Sequence, residues 1–148
     1  MKMIIREINK RDLAQLLELY THLHGDEVPP MSETLEQLWN KIVEDENHHI
    51  IVGQMENLMI SSCVLIVVPN LTHAQRPYAF IENVVTHPQY RKKGYATEVL
   101  NFARGIASEN HCYKIMLLTG SKEESTLRFY EKAGYNSKDK TSFIQWLE

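Results

Sequence analysis

Cysteine is scarce in this chain: 148 residues carry only Cys63 and Cys112. Two thiols cannot build the disulfide framework that holds small secreted scaffolds together. Each lies in or beside an apolar stretch of strand length, so both read as free thiols in or near the core. Long apolar runs are missing too. The longest clear one, Cys63 to Val68, falls far short of the roughly 20 residues that a membrane-spanning helix needs. The start, Met1-Lys2-Met3-Ile4-Ile5-Arg6-Glu7, meets charge too early for a signal peptide. A reduced, cytoplasmic setting is the default expectation, with no membrane partner. An excess of positive charge is also absent: 16 Lys and Arg against 19 Asp and Glu give a formal net charge of -3, unlike the basic balance of most nucleic-acid-binding domains. No nucleic-acid partner is expected. There is no repeat, low-complexity segment or interdomain linker, so residues 1–148 are expected to form one domain.

What is present reads as an alternation of short strands and helices. Lys2 to Ile8 predicts a strand. Asn9 can cap a helix with Leu13, Leu16, Leu17, Tyr20 and Leu23 on one face, broken by Gly25 to Pro30. Ser32 can cap a second helix, with Leu35, Leu38, Trp39, Ile42 and Val43 facing inward. His49 to Met55 and Leu58 to Val68, joined at Glu56-Asn57, predict a hairpin. A polar loop, Pro69 to Pro77, leads to a strand at Tyr78 to Thr86, and Ala96, Val99, Leu100, Ala103 and Ala107 recur at helical spacing after it. Lys114 to Leu118 has the length and character of a buried central strand. Ser121 and Glu124 fit a capping box for a last helix that ends at Gly134, and Ser142 to Leu147 predicts a final strand. The sum is a mixed α/β (α+β) domain, largely antiparallel in its first half, with a βαβ unit in the middle.

The chemistry concentrates where the Tyr78 to Thr86 strand gives way to a helix. His87-Pro88 closes the strand, and Arg91-Lys92-Lys93-Gly94-Tyr95-Ala96 follows. Cations are disfavoured at a helix start, by roughly 0.3–1 kcal/mol each, because the dipole is positive there. Crowding Arg and two Lys into that place suggests an anion to hold, since free backbone N–H groups, a glycine and nearby positive charge make a phosphate cradle. The competing reading is a solvated basic loop. There is no Gly-x-x-x-x-Gly-Lys-Ser/Thr, and only one glycine stands in the turn, so neither a nucleoside triphosphatase loop nor a dinucleotide fingerprint is present. The histidines His22, His24, His48 and His49 find no carboxylate or cysteine that completes a metal set, so no metal is expected.

Arg91, Gly94 and Ala96 together make Arg-x-x-Gly-x-Ala. The pattern resembles the acyl-CoA pyrophosphate loop of the GNAT superfamily of N-acetyltransferases. Val84, Val85 and Pro88 match the segment that usually precedes that loop, and Phe129-Tyr130-Glu131-Lys132-Ala133-Gly134-Tyr135 matches the end of the family's last helix. The likeness is strong from about Tyr78 to Tyr135. It implies a GNAT-like acyl-CoA N-acyltransferase fold, a mixed and mostly antiparallel central sheet flanked by helices. It also implies acetyl-CoA as donor and a small-molecule amine as acceptor, and it leaves a homodimer open. By this resemblance the backbone of Val84, Val85 and Thr86 pairs with the pantetheine arm. Arg91, Lys92, Lys93, Gly94, Tyr95, Ala96 and Thr97 hold the pyrophosphate, and Glu123, Thr126 and Phe129 line the cofactor from the last helix. The chain departs from the family at Glu123 and Thr126, where Asn and Ala are common.

Moving an acetyl group from a thioester to an amine requires a neutral amine, donors for the oxyanion and a proton for the departing thiolate. Glu82 is the candidate base. Alternation puts it with Phe80 and Val84 in an apolar strand, where partial desolvation raises a carboxyl pKa toward neutrality; the alternative is a carboxylate facing solvent or paired with a cation. A bulge, which the family often has in this strand, would break that alternation near Asn83. The N–H of Val84 or Val85 could serve the oxyanion. Tyr130 is the candidate acid, since a phenol near pKa ~10 can protonate a thiolate at modest cost; the alternative is a core tyrosine packed with Leu127 and Ala133. The expected activity is direct transfer in a ternary complex. Two rivals are a non-catalytic acyl-CoA sensor or interaction domain, and an acetyltransferase acting on protein N-termini or lysines.

Overall fold

The computed structural model describes residues 2–148. Contacts group the chain into two compact units, Met1–Met116 and Leu117–Glu148. The first unit begins with β1 (Ile4–Glu7), a 3-10 turn (Lys10–Asp12), α1 (Leu13–His24) and α2 (Glu33–Glu44). The hairpin β2 (His48–Met55) and β3 (Leu58–Val68) follows, then a single turn α3 (Thr72–Gln75), β4 (Tyr78–Thr86) and α4 (Tyr95–Glu109). A short β5 (Ile115–Leu117) completes a five-stranded mixed sheet in the order β1-β2-β3-β4-β5. β1 to β4 pair antiparallel in succession, and α4 is the crossover from β4 to β5. Helices cover the sheet, so the fold is α+β, as expected from the sequence.

Ser32 caps α2 as read, its Oγ accepting from the Leu35 N–H at 3.1 Å, whereas Asn9, accepting from the Arg11 N–H at 3.0 Å, caps the 3-10 turn, and α1 itself starts from Asp12 without a side-chain cap. Gly25 ends α1 in the left-handed conformation at φ 76. One face of the sheet packs Leu16, Leu19 and Trp39 of the two N-terminal helices against Ile50, Val52, Met59, Val64 and Val85. Leu19, absent from the expected face of α1, is buried, whereas Leu38 is exposed. On α4, Val99, Leu100 and Ala103 are buried, as are Ile51, Leu65 and Ile81 of the sheet. Each large aliphatic residue so buried contributes about 1.5–3 kcal/mol.

One polar knot ties β1 to the helices. Both guanidinium Nη atoms of Arg6 donate to Asp12, at 2.7 and 3.0 Å, and the Asn9 N–H donates to the same carboxylate at 2.7 Å. The Arg6 hydrogen bonds hold the Asp12 carboxyl below the usual range against the opposing effect of burial. A depressed carboxyl pKa stabilises the fold above its unfolded value, and that contribution is lost as pH falls through the folded value. Asp12→Asn should therefore cost about 1–3 kcal/mol at pH 7, with the gap to wild type closing below about pH 4. Urea unfolding at several pH values measures both.

Three local expectations are corrected. Lys114 to Leu118 supplies the edge strand β5 rather than a central one, and its residues are half-buried; an apolar run of strand length does not encode its place in the order. In the second unit, α5 (Glu124–Lys132) starts later than the capping box requires. Ser121 Oγ accepts from the Glu123 N–H at 3.2 Å and donates to Thr126 at 3.1 Å, so its cap is a local turn rather than a box with Glu124. The C-terminal signal holds: Gly134 at φ 102 lets the Tyr135 N–H reach the Tyr130 carbonyl at 3.0 Å. Residues 142–147 form no strand. A strand needs a neighbour for its N–H and C=O groups, none pairs there among the described residues, and Phe143, Ile144, Trp146 and Leu147 are exposed.

Candidate active site

β4 carries the first half of the site, and its middle is irregular. Ser62 pairs with Val85 and Val64 with Glu82, so Asn83 and Val84 together oppose the single residue Cys63. This is a β-bulge, and Asn83 takes φ 52 within it. Asn is the non-glycine residue that adopts the left-handed region most readily. The bulge changes the facing of every residue beyond it. Ser62 and Val64 lie on one face of β3, so their partners Val85 and Glu82 share a face of β4. Plain alternation paired Glu82 with Val84; the observed neighbours on its face are Phe80 and Val85. Val85 is buried in the core, whereas Glu82 and Asn83 are exposed. The partial burial expected of Glu82 from its apolar strand is therefore not observed.

Several groups around the bulge were not among the predicted site residues. The Tyr20 hydroxyl of α1 lies beside the side chains of Asn83 and Ser62, and burial pushes its pKa up to about 12. It is a neutral phenol where α1 meets the bulge. Ser61 Oγ donates to the Val85 carbonyl at 3.1 Å and lies 2.9 Å from Thr86 Oγ1, fixing the strand just past the irregularity. The His22 ring meets the His87 ring edge-on at 4.9 Å. Desolvation, with lesser effects of His22 and Arg91, lowers the His87 pKa. The one available sequence signal for this cluster is Asn83, set beside Glu82 in a mostly apolar strand.

After Thr86 the chain turns through Pro88–Tyr90 into the basic loop. Arg91 folds back, its Nε donating to the Thr86 carbonyl at 3.0 Å. Lys93 Nζ stands 5.6 Å from the Tyr90 ring centroid, a cation–π distance. Lys92 at φ 62 and Gly94 at φ 84 are both left-handed. These two residues swing the chain so that α4 begins immediately, and Glu98 makes the first helical hydrogen bond, to the Gly94 carbonyl at 3.1 Å. The N–H groups of Tyr95, Ala96 and Thr97 precede that bond and have no helical acceptor. Space beside Gly94 is open: a Cβ built there meets nothing within 4 Å. Cations, free amides and an unobstructed glycine are what a phosphate cradle requires.

Alongside, β4 has nine residues and its neighbour β5 only three, so among the described residues much of that edge of β4 has no strand beside it. Its uncovered amides are available to an extended ligand. Glu82, Val84, Val85, Thr86 and the loop Arg91 to Thr97 thus form one continuous stretch. Glu123, Thr126, Phe129 and Tyr130 belong to the second unit, on or just before α5. There Phe129 and Tyr130 meet edge-on at 4.9 Å, and Tyr130 meets Tyr135 at 6.3 Å. Both thiols are free; Cys63 is buried and pushed up to about 12 by desolvation. Among the described residues, no three His, Cys, Asp or Glu side chains converge as a metal set, and no helix is long and apolar enough to cross a membrane.

The sequence profile of the acetyltransferase (GNAT) family matches residues 13–135. The chain belongs to that family. Among its curated relatives is the glucosamine 6-phosphate N-acetyltransferase of Trypanosoma brucei brucei, 29% identical over 142 residues, 92% of this chain and 90% of the relative. A solved structure from Agrobacterium tumefaciens is 35% identical, with a TM-score of 0.89 over 97% of this chain and 99% of its own. The glucosamine-6-phosphate N-acetyltransferase of Arabidopsis thaliana, 20% identical, shares the fold, with a TM-score of 0.86 over the full length of both. The family match spans both units of the acetyltransferase. It covers the bulge, the phosphate-type loop and the Phe129 to Tyr135 helix end in one profile.

Proposed function

We infer that this acetyltransferase moves an acetyl group from acetyl-CoA directly to a primary amine of a small metabolite, within a ternary complex. The observation that carries the reading is the continuous path from the Asn83 bulge to the start of α4. The pyrophosphate sits on the free amides of Tyr95 to Thr97, with Arg91, Lys92 and Lys93 supplying positive charge. The pantetheine arm runs along Val84 to Thr86 as an added strand, which brings the thioester to the bulge. Glu123, Thr126 and Phe129 add contacts from the second unit. Glu82 removes the ammonium proton through water, which suits an exposed carboxylate. The amine nitrogen attacks the thioester carbon, the Val84 or Val85 N–H stabilises the oxyanion, the C–S bond breaks, and Tyr130 protonates the thiolate.

An acetyl-cysteine intermediate is disfavoured, because it needs a thiolate and burial pushes the Cys63 thiol up to about 12. Free thiols also suit a reducing, cytoplasmic compartment. Amino-sugar phosphates are the first acceptors to try, because a relative matched over nine-tenths of its length acts on glucosamine 6-phosphate.

Initial rates measured over a grid of acetyl-CoA and amine concentrations test the order of events. Intersecting double-reciprocal lines are expected, and parallel lines would reveal a covalent intermediate. Gly94→Val should weaken acetyl-CoA binding about tenfold, because φ 84 costs an L-residue roughly 1–2 kcal/mol. Calorimetry reads that loss directly.

A further inference from the structure

At the end of α4 opposite the phosphate-type loop lies a recess of about 370 Å³, lined by Arg76, Arg104, Ser108, His111, Tyr113 and Lys114 among others. No lining residue is acidic. Among the described residues none of Arg76, Arg104 and Lys114 has a carboxylate within ion-pair distance. On a chain of net charge -3, three permanent cations and an imidazole around one hollow make a local exception. Its α4 residues, Arg104 to Ser108, stand nine to thirteen residues beyond Tyr95, so about 14–20 Å along the helix axis separates this recess from the start of the helix. The recess therefore takes no part in the donor path.

Its cations are held in place. The chain leaves α4 through His111, whose left-handed φ of 62 turns it toward β5. Arg76 spans that turn, donating from Nε to the His111 carbonyl at 3.0 Å and from Nη2 to the Cys112 carbonyl at 3.3 Å. These bonds fix the guanidinium plane and leave N–H donors on both Nη atoms unused. Lys114 Nζ stands 5.3 Å from the Tyr113 ring centroid and 5.5 Å from that of Tyr78, and His73 stacks on Tyr113 at 3.9 Å. A fixed guanidinium, an ammonium steadied by two rings and a hydroxyl at Ser108 supply charged and neutral donors from separate segments, a set that the several oxygens of a phosphate group can use together.

We propose that this recess is a second ligand site, binding the phosphate group of a small phosphomonoester or inorganic phosphate itself. Amide-resolved NMR of the full chain tests it. Inorganic phosphate and, in a separate arm, glycerol 3-phosphate are titrated against chloride at matched ionic strength. Saturating shifts are expected at Arg76 and at His111 to Ile115, absent in chloride. Tighter binding of glycerol 3-phosphate identifies an ester as the ligand, and equal or weaker binding identifies the free anion. Arg104→Gln and Lys114→Gln should each weaken binding about tenfold, whereas Lys92→Gln should leave it unchanged. Arg104 is exposed, so its replacement leaves the fold intact for comparison. Shifts that follow chloride equally, that stay within Lys92 to Thr97, or that survive Arg104→Gln and Lys114→Gln undiminished would overturn the proposal.

Discussion

Glu82→Gln is expected to lower kcat about a hundredfold near pH 7, the middle of the usual range for general acid–base catalysis, with the loss narrowing as pH rises. In the proposed mechanism the substrate amine arrives as an ammonium ion, and Glu82 provides a route for its proton. Toward the pKa of the amine itself a growing share of substrate is already neutral, and the carboxylate becomes dispensable. Gln keeps the shape and much of the polarity of Glu, and residue 82 is exposed, so stability should barely change. The bulge matters to this expectation. Because Asn83 and Val84 together occupy one ladder position, Glu82 and Val85 lie on one face, the carboxylate in solvent and the valine in the core. A profile in which wild type and variant keep a constant ratio across pH would remove Glu82 from the base role.

Tyr130→Phe should lower kcat by a similar factor, about 10²-fold, while the affinity for acetyl-CoA changes little. In the proposed mechanism the phenol's task arises only as the C–S bond breaks, so its loss would fall on the transition state rather than on ground-state binding. Edge-on contacts with Phe129 and Tyr135 hold the ring through its carbon skeleton, which Phe retains. A large rise in the acetyl-CoA dissociation constant, with the rate per bound complex unchanged, would make Tyr130 a binding residue instead.

Much of this was legible in the residues because the signals are local. Asn9, Ser32 and Gly134 cap as their chemistry dictates, and the two-residue turn at Glu56-Asn57 forms the expected hairpin. The basic loop was readable because spacing, glycine and charge all fall within six residues. Less legible were features set by distant parts of the chain. Alternation alone places Glu82 with Val84, since a bulge depends on a partner strand, and only Asn83 hints at it. That the Tyr20 hydroxyl of α1 reaches the bulge follows from packing between elements and not from local spacing. Ser142 to Leu147 has the composition of a strand, yet pairing requires an open edge that composition cannot supply. The recess at the far end of α4 draws Arg76, Arg104 and Lys114 from three separated segments, so no motif announces it.

Transfer of acetyl from acetyl-CoA to a small amine, as proposed, yields free CoA and an acetylated amine in equal amounts. Thiol release from acetyl-CoA, measured across a panel of primary amines headed by amino-sugar phosphates, tests it most directly when the product is weighed by mass spectrometry. The expected result is amine-dependent release of CoA, matched one for one by a product heavier by one acetyl group. Tight binding of acetyl-CoA with no amine-dependent release, or release without an acetylated product, would contradict the account.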